Sequence, residues 1–227
     1  MRAPLTVVIP TLNAGETLPR CLGALWEGMQ AGLIGELIVV DGGSTDATVQ
    51  FADDAGATLL TAPPSRGGQL RAGAMAARGE WFLFLHADTI LPEGWSEAVI
   101  GHLPSRRAAC FRLSFDGGGW AGRCVAGWAN LRSRLFGLPY GDQALLLPRR
   151  IYERAGGFPD IPLMEDVALV RRLDQRPVLL PATVITRAER YQAEGWLWRG
   201  ARNLWTLARY FAGVSPERLS KSYRKSS

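Results

Sequence analysis

The first 90 residues alternate short, continuously apolar segments with segments of helical periodicity. The apolar segments are LTVVI (5–9), LIVV (37–40), ATLL (57–60) and FLFL (82–85). The segments with helical spacing cover 16–29, a stretch from Ser44 or Thr45 to 54, and the residues after Arg66. Short strands that are apolar throughout and are separated by helices are typical of a parallel sheet covered on both faces. The pattern predicts a doubly wound, mostly parallel α/β fold.

The second half of the chain is less regular. Its pattern predicts strands at 109–115 and 144–147, a turn or loop at DGGG (116–119), and helices at 120–136, 165–174 and 192–211. In the helix at 120–136, one side carries Trp120, Cys124, Trp128 and Leu131. We find no internal repeat and no low-complexity linker. We therefore expect one domain over 1–186, followed by a helical C-terminal extension over 187–227.

The composition is that of a globular protein. Of 227 residues, 47% are hydrophobic and 21% are charged, and no segment approaches the roughly 18 uncharged apolar residues of a membrane span. The N-terminal segment has one arginine and a short apolar run that Pro10 interrupts, which favours a first strand over a signal peptide. Cys21, Cys110 and Cys124 lie far apart without a CxxC motif, so neither a zinc site nor a disulfide framework is indicated. These features favour a cytoplasmic protein.

Positive charge is concentrated at the C-terminus. The net charge is +5, and the segment 187–227 holds nine Lys or Arg against three Glu. The helix predicted at 192–211 has an apolar face of Leu197, Ala201, Leu204, Ala208 and Phe211, and arginines on another face. Such a helix packs on its own domain or on a second subunit with a solvated arginine face, or it lies on an anionic membrane. Nucleic acid is disfavoured, because no reading motif accompanies the charge.

Polar and glycine-rich segments follow the four predicted strands of the first half. They are PTLNAGE, DGGSTD, APPSRGG and HADT. In open α/β sheets, ligands bind outside the carboxyl ends of the strands, so these four loops should converge on one crevice. Glycines there allow backbone N–H groups to approach a ligand closely. The chain has no GxGxxG after the first strand and no GxxxxGK[ST], which argues against a Rossmann dehydrogenase and a P-loop NTPase.

Five motifs follow one another along about residues 5–175: VVIPTLNAGETLPRCL, IVVDGGSTDAT, GEWFLFLHADT, GGF and LMEDVALVRRL. In these motifs and in their order, the chain resembles family-2 glycosyltransferases of the GT-A fold. Three further details are HADT in place of the usual acidic triplet, YGDQALLLPRR, and a closing YFAGVSPERL. In these, the chain resembles a bacterial subgroup of glycosyltransferases found in arsenosugar or selenium-linked gene neighbourhoods.

The resemblance implies a nucleotide-sugar donor, most often a UDP-sugar, and a product with inverted anomeric configuration. Residues 1–90 would form the nucleotide-binding half of the catalytic domain, and residues 91–186 the acceptor half. Asp41 would contact the base or the ribose, and Arg66 would lie near the base or the diphosphate. The donor-binding residues that the resemblance implies are Pro10, Thr11, Asn13, Glu16, Asp41, Gly43, Ser44, Arg66, Gly67, His86 and Ala87.

The resemblance also implies a metal site and a catalytic base. Asp88 matches the last acid of the metal-binding Asp-x-Asp motif, and Asp166 of the Glu165-Asp166 pair matches the base. The chemistry supports both, because Mg²⁺ or Mn²⁺ can neutralise a departing diphosphate through carboxylate and phosphate oxygens. An attacking hydroxyl must also lose a proton on the opposite face of the sugar. At a helix start, the dipole lowers the pKa of Asp166 and burial raises it, and the sequence leaves the balance open.

Each of these residues also has a simpler structural interpretation. Asp41 and Asp46 could be turn and cap residues, because DGGSTD suits a turn that leads into a helix. His86 could be a half-buried residue at a strand end, and we do not assign it to the metal. The acids Glu165-Asp166 could simply favour a helix start.

Three further residues are candidates for the acceptor. Asp142 and Gln143 lie between a predicted helix and a strand, where they could bind the acceptor or form a turn. Arg190, close to Arg187 and Tyr191, resembles the arginine of the QxxRW element of processive relatives, whose Gln and Trp are missing here.

Three other functions compete with a soluble transferase. A nucleotidyltransferase would need a glycine-rich, Lys- or Arg-bearing loop after the first strand, which PTLNAGE lacks. A catalytically degenerate, nucleotide-sugar-binding scaffold would explain the altered HADT triplet. A transferase at the inner face of the membrane, with a lipid acceptor, would explain the amphipathic C-terminal helix. A homodimer contact is the other open explanation for that helix.

Overall fold

The computed structural model describes residues 3–224, without the side chains of Arg190 and Arg224, and the first half folds as the pattern predicts. Its strands are β1 (Leu5–Thr11), β2 (Ile34–Asp41), β3 (Thr58–Thr61) and β4 (Trp81–Phe84). Its helices are α1 (Leu18–Gln30), α2 (Thr48–Asp54) and α3 (Arg66–Ala76). These four strands are parallel, and β1 pairs with both β2 and β4. Val7, Val8 and Ile9 are fully buried, because helices cover both faces of this strand.

The second half extends the same sheet with mixed strand directions. Its strands are β5 (Thr89–Ile90), β6 (Ala109–Phe115), β7 (Leu145–Pro148) and β8 (Val178–Thr186). Its helices are α4 (Trp95–His102), α5 (Gly119–Phe136), α6 (Arg149–Arg154) and α7 (Glu165–Val170). The strand order of the eight-stranded sheet is β3-β2-β1-β4-β7-β6-β8-β5. Strand β7 is antiparallel to β4 and β6, whereas β8 is parallel to β6. The predicted α/β class is confirmed.

Strand β8 and helices α4 and α6 were not predicted. Pro181 lies inside β8, and a proline normally argues against a strand interior because it lacks an N–H donor. Here the register between β6 and β8 shifts between Cys110 and Arg112, so that Leu179 and Thr183 are paired while Pro181 is not. The irregular pairing accommodates the proline. The helix predicted at 165–174 is shorter, since α7 ends at Val170.

The C-terminal segment folds into three helices: α8 (Glu189–Glu194), α9 (Trp196–Phe211) and α10 (Pro216–Arg224). The single helix predicted at 192–211 is therefore interrupted at Gly195, which has a φ of 89°. Helix α10 was not predicted. Within residues 3–224, we find no helix that is both long and apolar enough to cross a bilayer.

Helix α9 turns its polar face towards the rest of the protein. Arg199, Thr206 and Leu207 are buried, whereas the predicted apolar face is exposed, with Leu197 at 79% and Phe211 at 47%. The expectation of a solvated arginine face is therefore wrong for Arg199. The physical reason is that the inward polar groups have partners, since Arg199 forms an ion pair with Glu194 and Thr206 Oγ1 donates to the Arg202 carbonyl.

Aromatic packing holds the C-terminal helices on the sheet. The ring of Trp196 lies 5.1 Å from the ring of Phe115 at the end of β6, and 5.1 Å from the stacked ring of Tyr191. It also lies against the start of α5, where a Cβ on Gly118 would approach the indole ring to 1.9 Å. A side chain at 118 is thus excluded by the close packing of Trp196.

We predict that Trp196→Ala lowers the free energy of unfolding by about 2–4 kcal/mol, because it removes packing against Phe115, Tyr191 and Gly118. The control Trp198→Ala removes a tryptophan that is 69% exposed two residues along the same helix. Its effect should stay within about 0.5 kcal/mol. Denaturant unfolding of both variants tests this, and similar losses in the two would contradict the anchoring role.

Candidate active site

A cavity of about 200 Å³ opens at the carboxyl ends of the parallel strands. The structure brings together at its wall six residues that the sequence singled out: Arg66, His86, Asp88, Asp142, Glu165 and Asp166. They come from the start of α3, the segment after β4, the loop before β7, and α7. The cavity thus collects charged groups from four segments, as expected for a ligand site at this edge of the sheet.

A larger cavity, of about 710 Å³, lies at the opposite edge of the sheet. The starts of β1 and β2 line it, together with residues 78–80. Its acid Glu36 already accepts hydrogen bonds from Thr6 Oγ1 and the Arg78 N–H. Since this edge holds none of the loops that follow the parallel strands of the first half, we place the candidate site in the smaller cavity.

Gly141 joins three parts of the site. Its N–H donates to Asp166 Oδ2 at 2.7 Å. A Cβ at position 141 would lie 2.4 Å from His86 Nε2, so the imidazole rests directly on the glycine backbone. Only glycine permits this approach. The contact links the segment after β4, which carries His86, to the helix that carries Asp166.

Asp166 lies at the start of α7, with both carboxylate oxygens held by backbone donors. Besides the bond from Gly141, the N–H of Val167 donates to Asp166 Oδ1 at 2.7 Å. Met164, the residue directly before Glu165 and Asp166, has a φ of 67°, which is uncommon for a residue with a side chain. This left-handed turn directs α7 so that its first residues face the cavity.

Glu165 is the partner of Arg66. Its side chain is 4% exposed, and its Oε1 lies 3.3 Å from Arg66 Nη1. Burial raises the pKa of Glu165 above its ordinary value, although the Arg66 guanidinium opposes this. The Arg66 side chain is 49% exposed at the cavity wall. Glu165 therefore holds the Arg66 guanidinium at the cavity wall.

Asp88 offers a carboxylate to the cavity from the segment between β4 and β5. Its Oδ1 is 3.5 Å from the hydroxyl of Thr89, at the limit of a hydrogen bond. Within residues 3–224, we find no group of three or more His, Cys, Asp or Glu side chains that could hold a metal ion. The donor set fits a hard cation held by one carboxylate together with ligand oxygens and water, which is a common arrangement for Mg²⁺.

The loops after β1 and β2 bind each other. The N–H of Asn13 donates to Ser44 Oγ, and Asn13 Oδ1 accepts from the Thr45 N–H at 2.9 Å. Asp41 is 5% exposed and accepts from Thr11 Oγ1 and from the N–H groups of Gly43 and Ser44. Burial acts to raise the pKa of Asp41, but these hydrogen bonds outweigh it and lower that pKa. In this structure Asp41 shapes the loop.

Two residues, one in these loops and one beside them in α3, have side chains that stabilise the backbone of the loops. Asp46 accepts from the N–H groups of Gly15 and Thr48, in agreement with its interpretation as a turn residue, whereas the N-cap position of α2 is occupied by Ala47. Gln69 was missed by the sequence analysis. Its Nε2 donates at 2.8 Å to the carbonyls of Thr11 and Val40, and so ties α3 to the ends of β1 and β2.

Several predicted site residues lie away from the cavity wall. Glu16 is 86% exposed at its side chain and contacts Arg187 at 3.4 Å. Gly67 is buried, and a Cβ there would lie 2.3 Å from the Pro159 carbonyl. Pro10, Thr11 and Ala87 are buried or half-buried, and Gly43 is exposed. The side chain of Arg190 lies outside the described residues.

Gln143 does not reach the cavity wall. It is fully buried, its Oε1 accepts from Ser133 Oγ at 2.6 Å, and its Nε2 donates to the Phe111 carbonyl at 3.1 Å. These bonds connect the loop before β7 to α5 and β6. The expectation that Gln143 contacts the acceptor gives way to a structural role, because its amide is already bonded on both sides.

The C-terminal segment supplies a further wall of the cavity, of which the sequence analysis named only Arg187 and Tyr191, beside Arg190. The lining residues from this part of the chain are Arg187, Tyr191, Arg199, Asn203, Thr206 and Tyr223. Asn203 Nδ2 donates to Tyr191 Oη, and Tyr223 Oη donates to Asn203 Oδ1, each at 3.0 Å. The available signal was the spacing of Arg199, Asn203 and Thr206 on one helical face, whereas the sequence analysis considered only the arginines of this helix and placed them in solvent or on an anionic membrane.

Comparison with known proteins shows which family the chain matches. Residues 6–132 match the family described as Glycosyl transferase family 2. A PGL/p-HBAD biosynthesis glycosyltransferase of Mycobacterium bovis (strain BCG / Pasteur 1173P2) is 39% identical over 101 residues, which are 41% of this chain and 39% of that protein. The match thus spans about two fifths of that relative. An uncharacterized glycosyltransferase of Mycobacterium bovis (strain ATCC BAA-935 / AF2122/97) is 30% identical over 171 residues, covering 68% of this chain and 75% of the relative.

Solved structures share the fold. Glucosyl-3-phosphoglycerate synthase from Mycobacterium tuberculosis, in complex with Mn²⁺ and UDP-glucose, aligns with a TM-score of 0.56 at 22% identity, over 81% of this chain and 69% of that one. S. aureus TarS 1-349 in complex with UDP aligns with a TM-score of 0.60 at 13% identity, over 87% of this chain and 65% of that one.

The environment of Asp142 predicts that the free energy of unfolding depends on pH. Burial, aided by the Asp166 carboxylate and opposed by Arg132, raises the pKa of Asp142 from 3.8 to about 6. The folded state therefore holds this proton more tightly than the unfolded state. The resulting stabilisation is present below about pH 4 and is lost as the pH rises through about 6.

We expect Asp142→Asn to remove this dependence. The variant should exceed the wild type in free energy of unfolding by about 1–3 kcal/mol at pH 8, and the gain should shrink towards pH 4. Denaturant unfolding at several pH values measures the difference, with the exposed Asp54→Asn as control. A difference between Asp142→Asn and wild type that does not vary with pH would exclude this linkage.

Proposed function

The chain belongs to glycosyl transferase family 2, and we propose that it moves a sugar, with inversion, from a nucleoside-diphosphate sugar to a hydroxyl group of an acceptor. The observation that carries the proposal is the meeting of Arg66, Asp88 and Asp166 at one cavity. A cation, a metal-ligating carboxylate and a second carboxylate are the groups that diphosphate departure and hydroxyl attack require. This set favours an enzyme over a catalytically degenerate scaffold.

The donor is a UDP-sugar, supported by the shared fold with proteins whose structures hold UDP-glucose or UDP. Its diphosphate lies near Arg66, whose guanidinium stabilises phosphate oxygens. The loops at 10–16 and 41–46 border the nucleoside, with Asp41 and Asn13 holding their backbone N–H groups in place. His86 lines the same cavity and would place an imidazole beside the diphosphate.

Asp88 would hold Mn²⁺ or Mg²⁺, and oxygens of the donor's diphosphate would supply further ligands. When bound, the cation neutralises the charge that develops on the departing diphosphate. The protein's own part is to present a half-buried carboxylate, one oxygen of which lies 3.5 Å from the Thr89 hydroxyl, at the limit of a hydrogen bond. Such an oxygen needs little rearrangement to bind a hard cation.

Asp166 takes the proton of the attacking hydroxyl. Each of its oxygens accepts one backbone N–H, and each retains a second lone pair for an acceptor O–H. The two bonds fix the carboxylate, so the acceptor oxygen is oriented as it loses its proton. Attack opposite the diphosphate inverts the anomeric centre. Glu165 assists by holding Arg66.

The resemblance to the arsenosugar and selenium-linked subgroup stays a prediction, and the relatives named above do not support it. The division into a catalytic domain over 1–186 and an extension over 187–227 stays a proposal as well. The extension would contribute to the site, because Arg199 and Tyr223 line the same cavity as Asp166.

We predict that the roles of the Asp88 and Asp166 carboxylates can be distinguished by experiment. Asp88→Ala should lose the Mn²⁺-dependent part of UDP binding, because the protein ligand of the cation is gone. Asp166→Asn should bind UDP with Mn²⁺ as the wild type does, yet hydrolyse or transfer from UDP-sugars at least about 100-fold more slowly. Calorimetry and release of UDP from a panel of UDP-sugars measure the two effects.

Two outcomes would redirect the assignment. Wild-type binding of UDP without turnover of any donor favours the scaffold. Unchanged turnover in Asp166→Asn removes it as the base.

The outer face formed by helices α5 and α9 fits a membrane surface. Helices α5 and α9 contact each other, contain no Asp or Glu, and expose large apolar side chains outward. Those that are at least 45% exposed are Trp120, Trp128, Leu131, Leu135, Phe136, Leu197, Trp198, Trp205 and Phe211. The side of α5 that carries Trp120, Cys124, Trp128 and Leu131 is thus turned to solvent. Tryptophan with exposed arginine, here Arg123 and Arg134, suits the surface of an anionic bilayer.

We expect the wild type to float with vesicles containing phosphatidylglycerol, less so at high salt because screening weakens the arginine contribution. Trp198→Ser combined with Trp205→Ser should reduce flotation several-fold. Trp26→Ser, which removes a tryptophan that is 60% exposed on α1, should not. Absence of flotation with a two-chain mass in sedimentation would identify this face as a homodimer contact instead. The location at the inner face of a membrane stays a prediction.

A further inference from the structure

Three buried polar atoms at the candidate active site lack a hydrogen-bond partner among the described residues. They are Tyr140 Oη, Asp142 Oδ1 and Arg199 Nε. All three residues line the cavity that also holds Asp166. Buried polar atoms are nearly always hydrogen-bonded, and an unpaired buried group costs about 1–3 kcal/mol. Three such atoms around one cavity therefore indicate a polar ligand.

The three residues reach the cavity from opposite sides. Tyr140 and Asp142 flank Gly141, whose N–H holds Asp166. Arg199 comes from α9, with a side chain that is 8% exposed. A ligand that bonded to all three would lie between α9 and the loop before β7, directly beside the proposed base.

The position of Arg199 is fixed by its surroundings. Its Nη1 donates to Glu194 Oε1, and its guanidinium lies 5.2 Å from the ring centroid of Tyr191. These contacts hold the terminal nitrogen and leave Nε without a partner in the described residues. Because Arg202 also pairs with Glu194, this cluster of two arginines and one glutamate carries one surplus positive charge.

We propose that Tyr140, Asp142 and Arg199 form the acceptor subsite, and that the reacting end of the acceptor is polyhydroxylated, as in a sugar or another polyol. The proposal rests on the transferase function proposed above. It also makes the C-terminal helices part of the acceptor site.

The donor and acceptor pattern of the three atoms defines this chemistry. An ionised Asp142 only accepts hydrogen bonds, the Nε–H of Arg199 only donates, and the Tyr140 hydroxyl does both. Hydroxyl groups on neighbouring carbons can donate to the first, accept from the second and do either with the third. An alkyl chain would leave all three unpaired. The rings of Tyr191 and Tyr223 also line the cavity, and arginine guanidinium groups already lie over both of them.

The subsite also orients the acceptor for reaction. The Tyr140–Asp142 segment bonds Asp166 through Gly141, so a polyol held by Tyr140 and Asp142 presents a neighbouring hydroxyl to the Asp166 carboxylate. The O–H bond of that hydroxyl breaks as its oxygen bonds to the anomeric carbon. Its proton passes to Asp166, and the bond from the anomeric carbon to the diphosphate breaks with its electron pair on the diphosphate.

The test compares release of UDP with and without added polyols. The wild type is first incubated with UDP-glucose and, separately, with UDP-N-acetylglucosamine, each with Mn²⁺. The donor that the protein hydrolyses is then used at a saturating concentration. Glucose, ribose, glycerol and inositol are then titrated, with 1-octanol as an apolar hydroxyl compound. We expect at least one polyol, and not octanol, to accelerate UDP release in a saturable manner.

Single-group variants then locate the subsite. Tyr140→Phe, Arg199→Gln and Asp142→Asn should each raise the half-saturating concentration of that polyol about tenfold, the effect of losing one hydrogen bond to a buried or charged group. Tyr210→Phe, which removes a hydroxyl from a tyrosine outside the cavity wall, should keep the wild-type value. Thermal unfolding of each variant confirms that it is folded.

The outcomes separate this inference from the function on which it depends. A wild type that releases no UDP from any donor contradicts the transferase function itself. Donor hydrolysis that no polyol accelerates overturns the acceptor class. Acceleration by a polyol with unchanged half-saturation in the folded Tyr140→Phe and Arg199→Gln variants overturns the subsite, and assigns the three buried atoms to ordered water.

Discussion

The hydrogen bond from the Gly141 N–H to Asp166 is the interaction on which the site depends. It joins the loop before β7 to the start of α7, and the same glycine lies against the imidazole of His86 at the end of β4. Three segments that are distant in sequence therefore share one backbone position with no room for a side chain. Because Asp142 follows Gly141 directly, the bond that fixes the proposed base also sets the position of the carboxylate beside it.

Charge at the cavity is unevenly balanced. Asp88, Asp142 and Asp166 contribute three carboxylates, whereas the Arg66 guanidinium is already opposed by Glu165. Burial, opposed by Arg132 and aided by the Asp166 carboxylate, raises the pKa of Asp142. A divalent cation and the donor's diphosphate would alter this balance when they bind. The acids are thus arranged for a ligand that brings its own positive charge, in accordance with the proposed role of Asp88.

Helix α9 serves two purposes because its polarity is inverted relative to an ordinary surface helix. Its inward face presents Arg199 and Asn203 to the cavity, where Glu194 and the tyrosines of α8 and α10 bond them. Its outward face keeps Leu197 and Trp198 in solvent. A helix that lines a polar cavity cannot also bury its apolar side against the sheet. Those side chains remain exposed, and the proposed contact with a membrane surface would use them.

The sequence by itself determined the strands and helices of the first 90 residues and the strand-end loops that carry Arg66, His86 and Asp88. Those features depend on local periodicity and on the fixed geometry of parallel strands, which any α/β chain must obey. Tertiary structure alone decided the rest. Strand β8 depends on pairing that tolerates Pro181, Gln143 became structural because Ser133 and Phe111 surround it, and Arg199 reached the cavity because α9 turned its polar face inward. Periodicity defines the two faces of a helix, but only the partners available in the folded chain decide which face is buried.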